Sequence, residues 1–471
     1  MTHYDVVILG AGSGNSIVHR GYAGLRVAIV EPGPWGGTCL NRGCIPSKMF
    51  VVPADLARAA ADDGARLDLL THVDGVDWPG LHGRVFARTD DVAAQGLRFR
   101  EEQPHVDVLR GRGRFLGPGR LRIDLLDGTA REVTAAHVVI ATGSHPVVPD
   151  LPGLAGSGYD TSDDLRHLTA LPARLAILGG GYVGTEFAHV FASLGRAAGR
   201  PDPVVQLERG PVLLGAQDEE IARRFTAQAR QQWDVRTDAA LERVTRDADG
   251  LHLHLAGGEE LVVDRLLVAV GRRPTTDDLG LEHVGVEVDD AGRVVVDEHQ
   301  RTTAAGVWAL GDASSPEPLK HVANQDARVV AHNILHPDDL RVSDHRFVPQ
   351  AVFSSPQVAA VGLTEAQARD RGIDAAVTVR EYAGTAYGWA QHHDDAGWCV
   401  KLLADRATGR LVGAHLIGPM AATLIQPLIQ AMSFDQPVAG LARGQYWIHP
   451  APTEVVENAL LDLARELAPP R

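Results

Sequence analysis

The chain has 471 residues, of which 45% are hydrophobic and 50 are glycine, and its formal net charge is −15 at pH 7. This length predicts about three domains with buried cores, and the negative charge argues against nucleic acid or an anionic membrane surface as the main partner. No apolar run reaches the roughly 18 residues of a membrane-spanning helix, the first strand leaves no room for a signal peptide, and three cysteines suit a reducing compartment, so we expect a cytoplasmic protein.

The chain opens with the pattern of a dinucleotide-binding unit. A short apolar strand is predicted over residues 4–9, a helix follows a glycine turn, and a second apolar strand over residues 27–30 leads to Glu31. In such a βαβ unit the N–H groups of the turn approach a pyrophosphate, and the acid binds a ribose hydroxyl. Asn15 stands where the third glycine usually lies, so we expect the helix and strand to pack slightly differently. The turn contains Gly10, Gly12, Ser13 and Gly14.

Two of the three cysteines lie in the next segment, residues 36–48, which reads GGTCLNRGCIPSK. In a helix Cys39 and Cys44 would lie about 140° apart, but the intervening Asn-Arg-Gly can loop so that the sulfurs meet. Oxidation of such a close pair closes a small ring, which adds little stability but suits a bond that opens and closes in each turnover. We therefore predict a redox-active dithiol. The alternatives are two unrelated buried cysteines or half of a metal site, and zinc is disfavoured because Cys399 stands without a CxxC or HxxxH partner.

The middle of the chain predicts helices, then strands, then a second dinucleotide unit. The predicted helices cover residues 51–61 and 78–102, and the predicted strands cover residues 106–109, 115–125 and 138–141, with a turn at residues 111–113. We expect no chemistry from the two helices. The proline-rich stretch at residues 146–152 predicts a crossover to another domain. There a strand at residues 175–178, a full GxGxxG at 179–184, a helix at 185–194 and a strand at 204–207 repeat the first unit, so two dinucleotides are expected.

The last third of the chain returns to strands and ends in a second candidate catalytic motif. Apolar strands are predicted over residues 266–270 and 307–310, a helix opens at residues 319–323, and strands follow at 351–353, 358–362, 399–403 and 411–417. Cys399 lies in one of these apolar strands and is predicted to be a core residue. The motif HPxxxE, from His449 to Glu454, places an imidazole before a proline and upstream of an acid. In a chain that already has a cysteine pair, we predict that His449 is an acid/base and that Glu454 orients it.

The segment GGTCLNRGCIPSKM and the HPxxxE motif resemble those of flavin-dependent pyridine nucleotide-disulfide oxidoreductases, the family of glutathione reductase and dihydrolipoyl dehydrogenase. The resemblance covers nearly the whole chain. It implies an α/β fold with two Rossmann-like dinucleotide-binding domains and a C-terminal α+β dimerisation domain. The implied parts are an FAD-binding domain at residues 1–150, an NAD(P)-binding domain at 151–271, a central FAD-binding part at 272–345 and an interface domain at 346–471.

The family resemblance also implies a role for each candidate residue. Cys44 would lie next to the flavin as the charge-transfer thiolate, Cys39 would attack a small-molecule disulfide, and His449 would serve the dithiol of the partner subunit in a homodimer. Glu186 would pair with Lys48 beside the flavin. The implied FAD contacts are Gly10, Gly12, Ser13, Gly14, Glu31, Thr38, Lys48, Gly113, Thr142, Gly143, Ser144 and Asp312. The implied NAD(P) contacts are Gly179, Gly181, Tyr182, Gly184, Glu208, Arg209 and Gly271, with Tyr182 gating the nicotinamide pocket.

The residues after the strand at 204–207 give mixed signals about the nicotinamide. Glu208 favours the free ribose hydroxyls of NADH, whereas Arg209 favours the 2′-phosphate of NADPH. In glutathione reductase-like sequences a second arginine follows six residues later, but Gly215 stands at that place here, and the loop at residues 196–203 is longer than usual. We expect NADPH as the electron donor, with NADH as the alternative.

Four segments resemble one branch of the family, the one that reduces the disulfide of mycothiol. These segments are residues 12–17, 44–50, 320–324 and 442–450. The resemblance, and not the residue chemistry, implies this substrate. The alternatives are the NAD-dependent dihydrolipoyl dehydrogenase branch and a non-catalytic flavoprotein that acts as a redox sensor. The mercuric reductase branch is disfavoured because it needs a C-terminal cysteine pair, and we predict no metal site.

Overall fold

The structure is a computed structural model that describes residues 1–391 and 397–468. Its strands are β1 (Thr2–Leu9), β2 (Val27–Val30), β3 (Val106–Leu109), β4 (Gly111–Gly117), β5 (Arg120–Leu125), β6 (Ala130–Ile140), β7 (Ser144–Pro146), β8 (Asp160–Thr161), β9 (Leu175–Leu178), β10 (Val204–Leu207), β11 (Asp234–Arg236), β12 (Leu241–Arg246), β13 (Leu251–Leu255), β14 (Glu260–Val263), β15 (Arg265–Val268), β16 (Arg272–Pro274), β17 (Val307–Ala309), β18 (Gln350–Val352), β19 (Gln357–Gly362), β20 (Ala375–Glu381), β21 (Cys399–Asp405) and β22 (Arg410–Gly418).

The α-helices of the described residues lie between and after these strands. They are α1 (Gly37–Asn41), α2 (Cys44–Arg58), α3 (Gly64–Arg66), α4 (Trp78–Glu101), α5 (Tyr182–Ala197), α6 (Glu219–Ala229), α7 (Lys320–Leu335), α8 (Glu365–Asp370), α9 (Ala386–Ala390), α10 (Ala421–Leu424), α11 (Gln426–Ser433) and α12 (Glu454–Glu466). A π-helical turn, Ala59–Asp63, continues α2. Within the described ranges no helix is both long and apolar enough to cross a membrane.

The first sheet has seven strands, in the order β3-β2-β1-β6-β5-β4, with β17 also paired to β6. Strands β3, β2, β1, β6 and β17 run parallel, while β4 and β5 are antiparallel to their neighbours. The second half of β1, from Val6 to Leu9, is buried at every residue because both faces of the sheet are covered. The loops that follow β1, β2 and β17 therefore meet at the carboxyl edge of one sheet, where dinucleotides bind in such folds.

The predicted helix after the first glycine turn is wrong. The structure has only two short 3₁₀ helices there, Ser13–Ile17 and Arg20–Tyr22. The buried Arg100 of α4 donates from Nε to the Asn15 side chain at 2.6 Å and from a second nitrogen to the Asn15 carbonyl. Two glycines also follow within ten residues, and glycine disfavours a helix by about 1 kcal/mol. Asn15 is thus held by a long-range contact in a turn that does not become an α-helix.

Two further predictions about this sheet need correction. The single strand predicted over residues 115–125 is a hairpin, because Gly119 takes a left-handed φ of +63° between β4 and β5. The turn predicted at residues 111–113 is part of β4. Gly113 lies so close to β1 that a Cβ there would meet the Leu9 side chain at 2.6 Å.

The second dinucleotide unit forms a parallel sheet of five strands, in the order β11-β10-β9-β15-β8. The glycine turn of residues 179–181 leads directly into α5, which buries twelve of its sixteen residues. Helix α5 packs against α2 through an aromatic cluster in which the Trp78 ring lies 5.2 Å from Phe50 and 5.8 Å from Phe191. This contact joins α2, which begins at Cys44, to the second dinucleotide unit.

The C-terminal part is a five-stranded antiparallel sheet in the order β18-β19-β22-β21-β20. Cys399 on β21 is fully buried, which confirms the prediction that it is a core residue, and burial raises its pKa to about 12. Lys401, two residues later, is also buried. Its ammonium donates to Asp218 at 2.9 Å and to Glu365 at 2.7 Å, so an ionic junction ties this sheet to the start of α6.

Candidate active site

The two cysteines lie on either side of a break between two helices. Cys39 is in the short helix α1 and Cys44 is the first residue of α2, because the backbone turns at Arg42 and Gly43. Both are thiols, and the Cys39 thiol hydrogen-bonds to the Cys44 sulfur. The loop that the sequence predicts between the cysteines thus brings the sulfurs together.

The two thiols of this pair differ in pKa. The hydrogen bond from Cys39, helped by the charge of Lys48 and opposed by burial, lowers the pKa of Cys44 to about 7. The same hydrogen bond, together with burial, raises the pKa of the Cys39 thiol. When the pair loses one proton, the negative charge therefore settles on Cys44 and the remaining proton stays on Cys39.

Lys48 is fixed one turn after Cys44 by a partner from the second dinucleotide unit. Its Nζ donates to Glu186 of α5 at 2.5 Å, and Glu186 is only 5% exposed. The other Glu186 oxygen accepts the backbone N–H of Phe353 at 2.9 Å, and the Lys48 ammonium lies 4.6 Å from the centre of the Phe353 ring. Three parts of the chain therefore hold one cation beside the Cys44 thiol.

The glycine turn after β1 has the shape needed for the expected FAD. Gly10 has φ +111°, and a Cβ there would lie 2.2 Å from the carbonyl oxygen of Ala141. A Cβ on Gly37 would lie 2.7 Å from the Cα of Gly12, so the turn and the start of α1 touch backbone to backbone. Close approach of this kind leaves N–H groups free to face a pyrophosphate.

Polar groups that suit FAD surround this turn. Glu31 accepts the N–H of Ala11 and the N–H of Gly33, both at 2.8 Å, which fixes its carboxylate at the end of β2. The buried Thr142 Oγ1 has no hydrogen-bond partner in the described residues. Asp312 accepts from the Ser144 hydroxyl at 2.6 Å. The Glu31 carboxylate lies where a ribose hydroxyl would bind, and the unpaired Thr142 hydroxyl can hydrogen-bond to a ligand. Glu31, Thr142 and Asp312 are therefore candidate ligands of a flavin nucleotide.

A cleft of about 640 Å³ opens at the second glycine turn. All but one of the residues predicted to contact NAD(P) line it, namely Gly179, Gly181, Tyr182, Glu208, Arg209 and Gly271. The exception, Gly184, lies beneath the turn, where a Cβ would meet the Gly179 carbonyl oxygen at 2.3 Å. Tyr182 is 41% exposed at the first position of α5. The cleft therefore suits a dinucleotide whose pyrophosphate faces the glycine turn.

The acids that end β2 and β10 make equivalent contacts. Glu208 accepts the N–H of Gly180 and the N–H of Gly210, both at 2.7 Å, just as Glu31 is held in the first unit. Arg209 is exposed beside it on the cleft wall, and no hydrogen bond or ion pair joins it to any other residue in the described ranges. The sequence signals about NADH and NADPH are mixed for a structural reason, because a fixed carboxylate and a free guanidinium lie side by side at the end of β10.

His449 lies at the surface, five residues before the start of α12. Its Nδ1 is 2.6 Å from Glu454 Oε1, and its side chain is 74% exposed. No hydrogen bond or ion pair connects His449 to Cys39 or Cys44 within residues 1–391 and 397–468. The structure thus forms the predicted histidine–glutamate pair but does not bring it to the dithiol of the same chain.

Several residues of the site were missed from the sequence. Phe353 binds both members of the Lys48–Glu186 pair, yet it follows β18 in another part of the chain and carries no local motif. Arg272 lines the cleft and donates to the Ser144 hydroxyl at 2.9 Å and to the Ser144 carbonyl at 2.8 Å. It lies in the segment Gly-Arg-Arg-Pro, and this segment was the only sequence feature that pointed to Arg272.

The chain is similar to known proteins over nearly its whole length. Residues 4–327 match the family described as pyridine nucleotide-disulphide oxidoreductase, and residues 348–460 match its dimerisation domain. The chain is 48% identical over 469 residues to mycothione reductase from Mycobacterium tuberculosis, covering 98% of this chain and all of the relative. It is 34% identical to glutathione reductase from Burkholderia cepacia, over 91% of this chain and 92% of the relative. An HOCl-induced flavoprotein disulfide reductase from Escherichia coli superposes with a TM-score of 0.84 at 30% identity, over 97% of this chain and 99% of that chain.

Proposed function

The chain belongs to the pyridine nucleotide-disulphide oxidoreductase family, whose members use FAD and a nicotinamide nucleotide, and from that premise we propose that it reduces the disulfide of mycothiol with electrons from NADPH. The substrate proposal rests on the identity to mycothione reductase, which extends over essentially both chains. The mechanism rests on one observation of the structure, which is that Cys39 and Cys44 are free cysteines on either side of the break between α1 and α2, with their sulfurs within hydrogen-bond reach of each other.

We assign the parts of the chain accordingly. Residues 1–150 and 272–345 would hold FAD, residues 151–271 would hold the nicotinamide nucleotide, and residues 346–471 would form the interface of a homodimer. Bound FAD would accept electrons from the nicotinamide and deliver them to the disulfide form of the cysteine pair. The FAD would be held by the first glycine turn at residues 10–14 and by residues 142–144, with Glu31 at its ribose and Asp312 at its ribityl chain.

The reduced cysteine pair would then reduce the substrate in two exchanges. Cys39 loses its proton to a base and its sulfur attacks one substrate sulfur, so that a Cys39–substrate disulfide forms and the first substrate thiolate leaves. The Cys44 thiolate next attacks the Cys39 sulfur, which releases the second substrate thiolate and restores the Cys39–Cys44 disulfide. Two electrons pass from the cysteine pair to the substrate, and each leaving thiolate takes up one proton.

His449 is the base and acid that this scheme needs, and we propose that it acts on the cysteine pair of the partner subunit. Its exposure, and the absence of a hydrogen bond or ion pair to its own cysteines in the described ranges, support an action across the dimer. Glu454 bonds to Nδ1 and leaves Nε2 to accept the Cys39 proton and return it to the leaving thiolate. Without a proton donor the substrate thiolate would leave slowly.

The nicotinamide preference is proposed from the two residues at the end of β10. Arg209 is free to pair with the 2′-phosphate of NADPH, while the fixed Glu208 carboxylate can accept a ribose hydroxyl and allows NADH to enter as well. We expect Arg209→Ala to reduce kcat/KM for NADPH about tenfold with little effect on NADH. Glu208→Gln should instead raise kcat/KM for NADPH relative to kcat/KM for NADH. If neither variant changes this ratio, the assignment is wrong.

The substrate is tested by comparing disulfides with the FAD-loaded enzyme. NADPH oxidation is followed with mycothiol disulfide, oxidised glutathione and lipoamide at equal concentrations, and then again with NADH. A kcat/KM at least about a hundredfold higher for mycothiol disulfide is expected. Preference for lipoamide with NADH as the donor would instead identify a dihydrolipoyl dehydrogenase, and the absence of NAD(P)H oxidation with any of the disulfides would point to a redox sensor.

A further inference from the structure

His189 is a fully buried histidine of α5 that the mechanism above does not use. Its Nε2 lies 2.7 Å from a carboxylate oxygen of Asp55 on α2, and its Nδ1 lies 3.4 Å from the hydroxyl of Ser193, one turn further along α5. Because a carboxylate only accepts, Nε2 carries the proton of the first bond. The imidazole is therefore bonded to the helix that begins at Cys44.

The bond between Asp55 and His189 is a second polar link between two helices that the pair of Lys48 with Glu186 already joins. Lys48 and Asp55 are seven residues apart on α2, and Glu186 and His189 are three residues apart on α5. Side chains at these spacings lie on one face of a helix. The side chains around the two links belong to one buried apolar cluster, which includes Val51 and Ala54 of α2 and Phe187 and Val190 of α5.

Stability alone does not explain a histidine at this place. An apolar side chain of similar size would pack into the same cluster without a polar group that needs a partner, and replacing a buried polar pair by apolar residues is often neutral or stabilising. An apolar contact, however, tolerates a slide of one helix along the other. A directed hydrogen bond does not, so a polar pair within an apolar contact fixes which turns of the two helices face each other.

The order of the charges along the two helices also favours one register. On α2 the cation of Lys48 precedes the carboxylate of Asp55, and on α5 the carboxylate of Glu186 precedes the imidazole of His189. A slide that carried Asp55 towards Glu186 would bring two carboxylates together and would take Lys48 away from its partner. Both links are satisfied at once in the observed register.

We propose that His189 and Asp55 are positioning residues that fix the register of α2 on α5 and thereby place Lys48 beside Cys44. Helix α2 has fifteen residues and begins at Cys44, so a slide at the turn of Asp55 moves the turns of Lys48 and Cys44 with it. The ammonium of Lys48 favours the thiolate of Cys44, so a displaced ammonium leaves this thiol harder to ionise. The proposal rests on the thiolate role of Cys44 in the proposed function, but not on which disulfide or nicotinamide is used.

The test is the pH dependence of the rate at which iodoacetamide alkylates Cys44 in the FAD-loaded enzyme. A Cys39→Ser background leaves one thiol at the site, and mass spectrometry separates its product from that of the buried Cys399. We expect His189→Leu to raise the midpoint of the profile by about half a pH unit, which roughly halves the rate at pH 7. His189→Gln keeps an N–H near the position of Nε2 and should stay within about 0.2 pH units of the parent.

Two controls separate positioning from a general loss of stability. Val190→Ala removes buried methyl groups next to His189 and should lower the urea midpoint of unfolding without moving the Cys44 profile. In a Lys48→Met background, His189→Leu should cause no further shift, because its effect on Cys44 passes through the charge of Lys48.

Four results would overturn the proposal. The first is an unchanged profile in His189→Leu, and the second is an equal shift in the Leu and Gln variants, which would show that the ring matters and its hydrogen bond does not. The third is an equal shift in Val190→Ala at an equal loss of stability. The fourth is a shift that persists in the Lys48→Met background. Alkylation needs neither disulfide nor nicotinamide, so a wrong choice of substrate would appear in the turnover assays and leave this test unaffected.

Discussion

The polarised cysteine pair leads to a quantitative prediction for Cys39→Ala. The largest cause of the lowered pKa of Cys44 is the hydrogen bond from the Cys39 thiol, and alanine removes it. A thiol with a pKa of about 7 is half ionised at pH 7, whereas one at the ordinary value of 9.0 is about 1% ionised. Alkylation of Cys44 at pH 7 should therefore slow by roughly 50-fold.

The direction of the pH dependence follows from the same numbers. The thiolate predominates above the pKa, so a lowered pKa extends the reactivity of Cys44 to lower pH. Loss of the hydrogen bond from Cys39 should therefore move the alkylation profile of Cys39→Ala to higher pH. Cys39→Ser is the matched control, because its hydroxyl can still donate to the Cys44 sulfur, and its profile should stay near pH 7. Rates of iodoacetamide labelling between pH 5 and pH 10 give both profiles. A midpoint near 7 in the alanine variant would refute the argument that Cys39 sets the charge of Cys44.

Three further variants test other parts of the structure. His449→Ala should slow disulfide turnover by about 10²–10⁴-fold and leave reduction of the cysteine pair by NADPH intact, as single-turnover kinetics would show. Lys401→Met leaves the buried Asp218 carboxylate without its cation and should lower the free energy of unfolding by about 3 kcal/mol in urea titrations, whereas Lys401→Arg should lose less. Gly10→Ala places a methyl group 2.2 Å from a carbonyl oxygen and should abolish FAD retention, while Gly24→Ala, with open space around it, should retain FAD.

The sequence was sufficient where a function depends on a local pattern. In each dinucleotide unit the glycine turn and its acid lie within about thirty positions, and the two cysteines are also close in sequence. Their spacing therefore already indicates the chemistry. Strand predictions succeeded for the same reason, since the apolar runs of β1, β2, β9 and β10 are short and bounded by glycine or polar residues.

The sequence failed where a distant contact decides the local structure. The first glycine turn does not continue into a helix, because Arg100 holds Asn15 from 85 positions away. The contact between Glu186 and Phe353 behaves in the same way, since Phe353 comes from another part of the chain, whereas the pair of Glu186 with Lys48 was predicted from the family resemblance and is confirmed. No periodicity or motif encodes such contacts, and they become visible only when the sheets and helices are packed.

The surroundings of His449 favour an active site shared between two chains, and this can be tested by complementation. Ile448 is 77% exposed and Tyr446 is fully exposed, and exposed apolar patches of this kind mark surfaces that contact another protein. Cys39→Ala and His449→Ala homodimers should each be nearly inactive. If the histidine serves the other subunit, mixed dimers contain one site with both groups, and random exchange of subunits should restore about a quarter of the wild-type sites. If it served its own subunit, no mixed dimer would contain a complete site, so activity that stays at the level of the separate variants after exchange would refute the shared site.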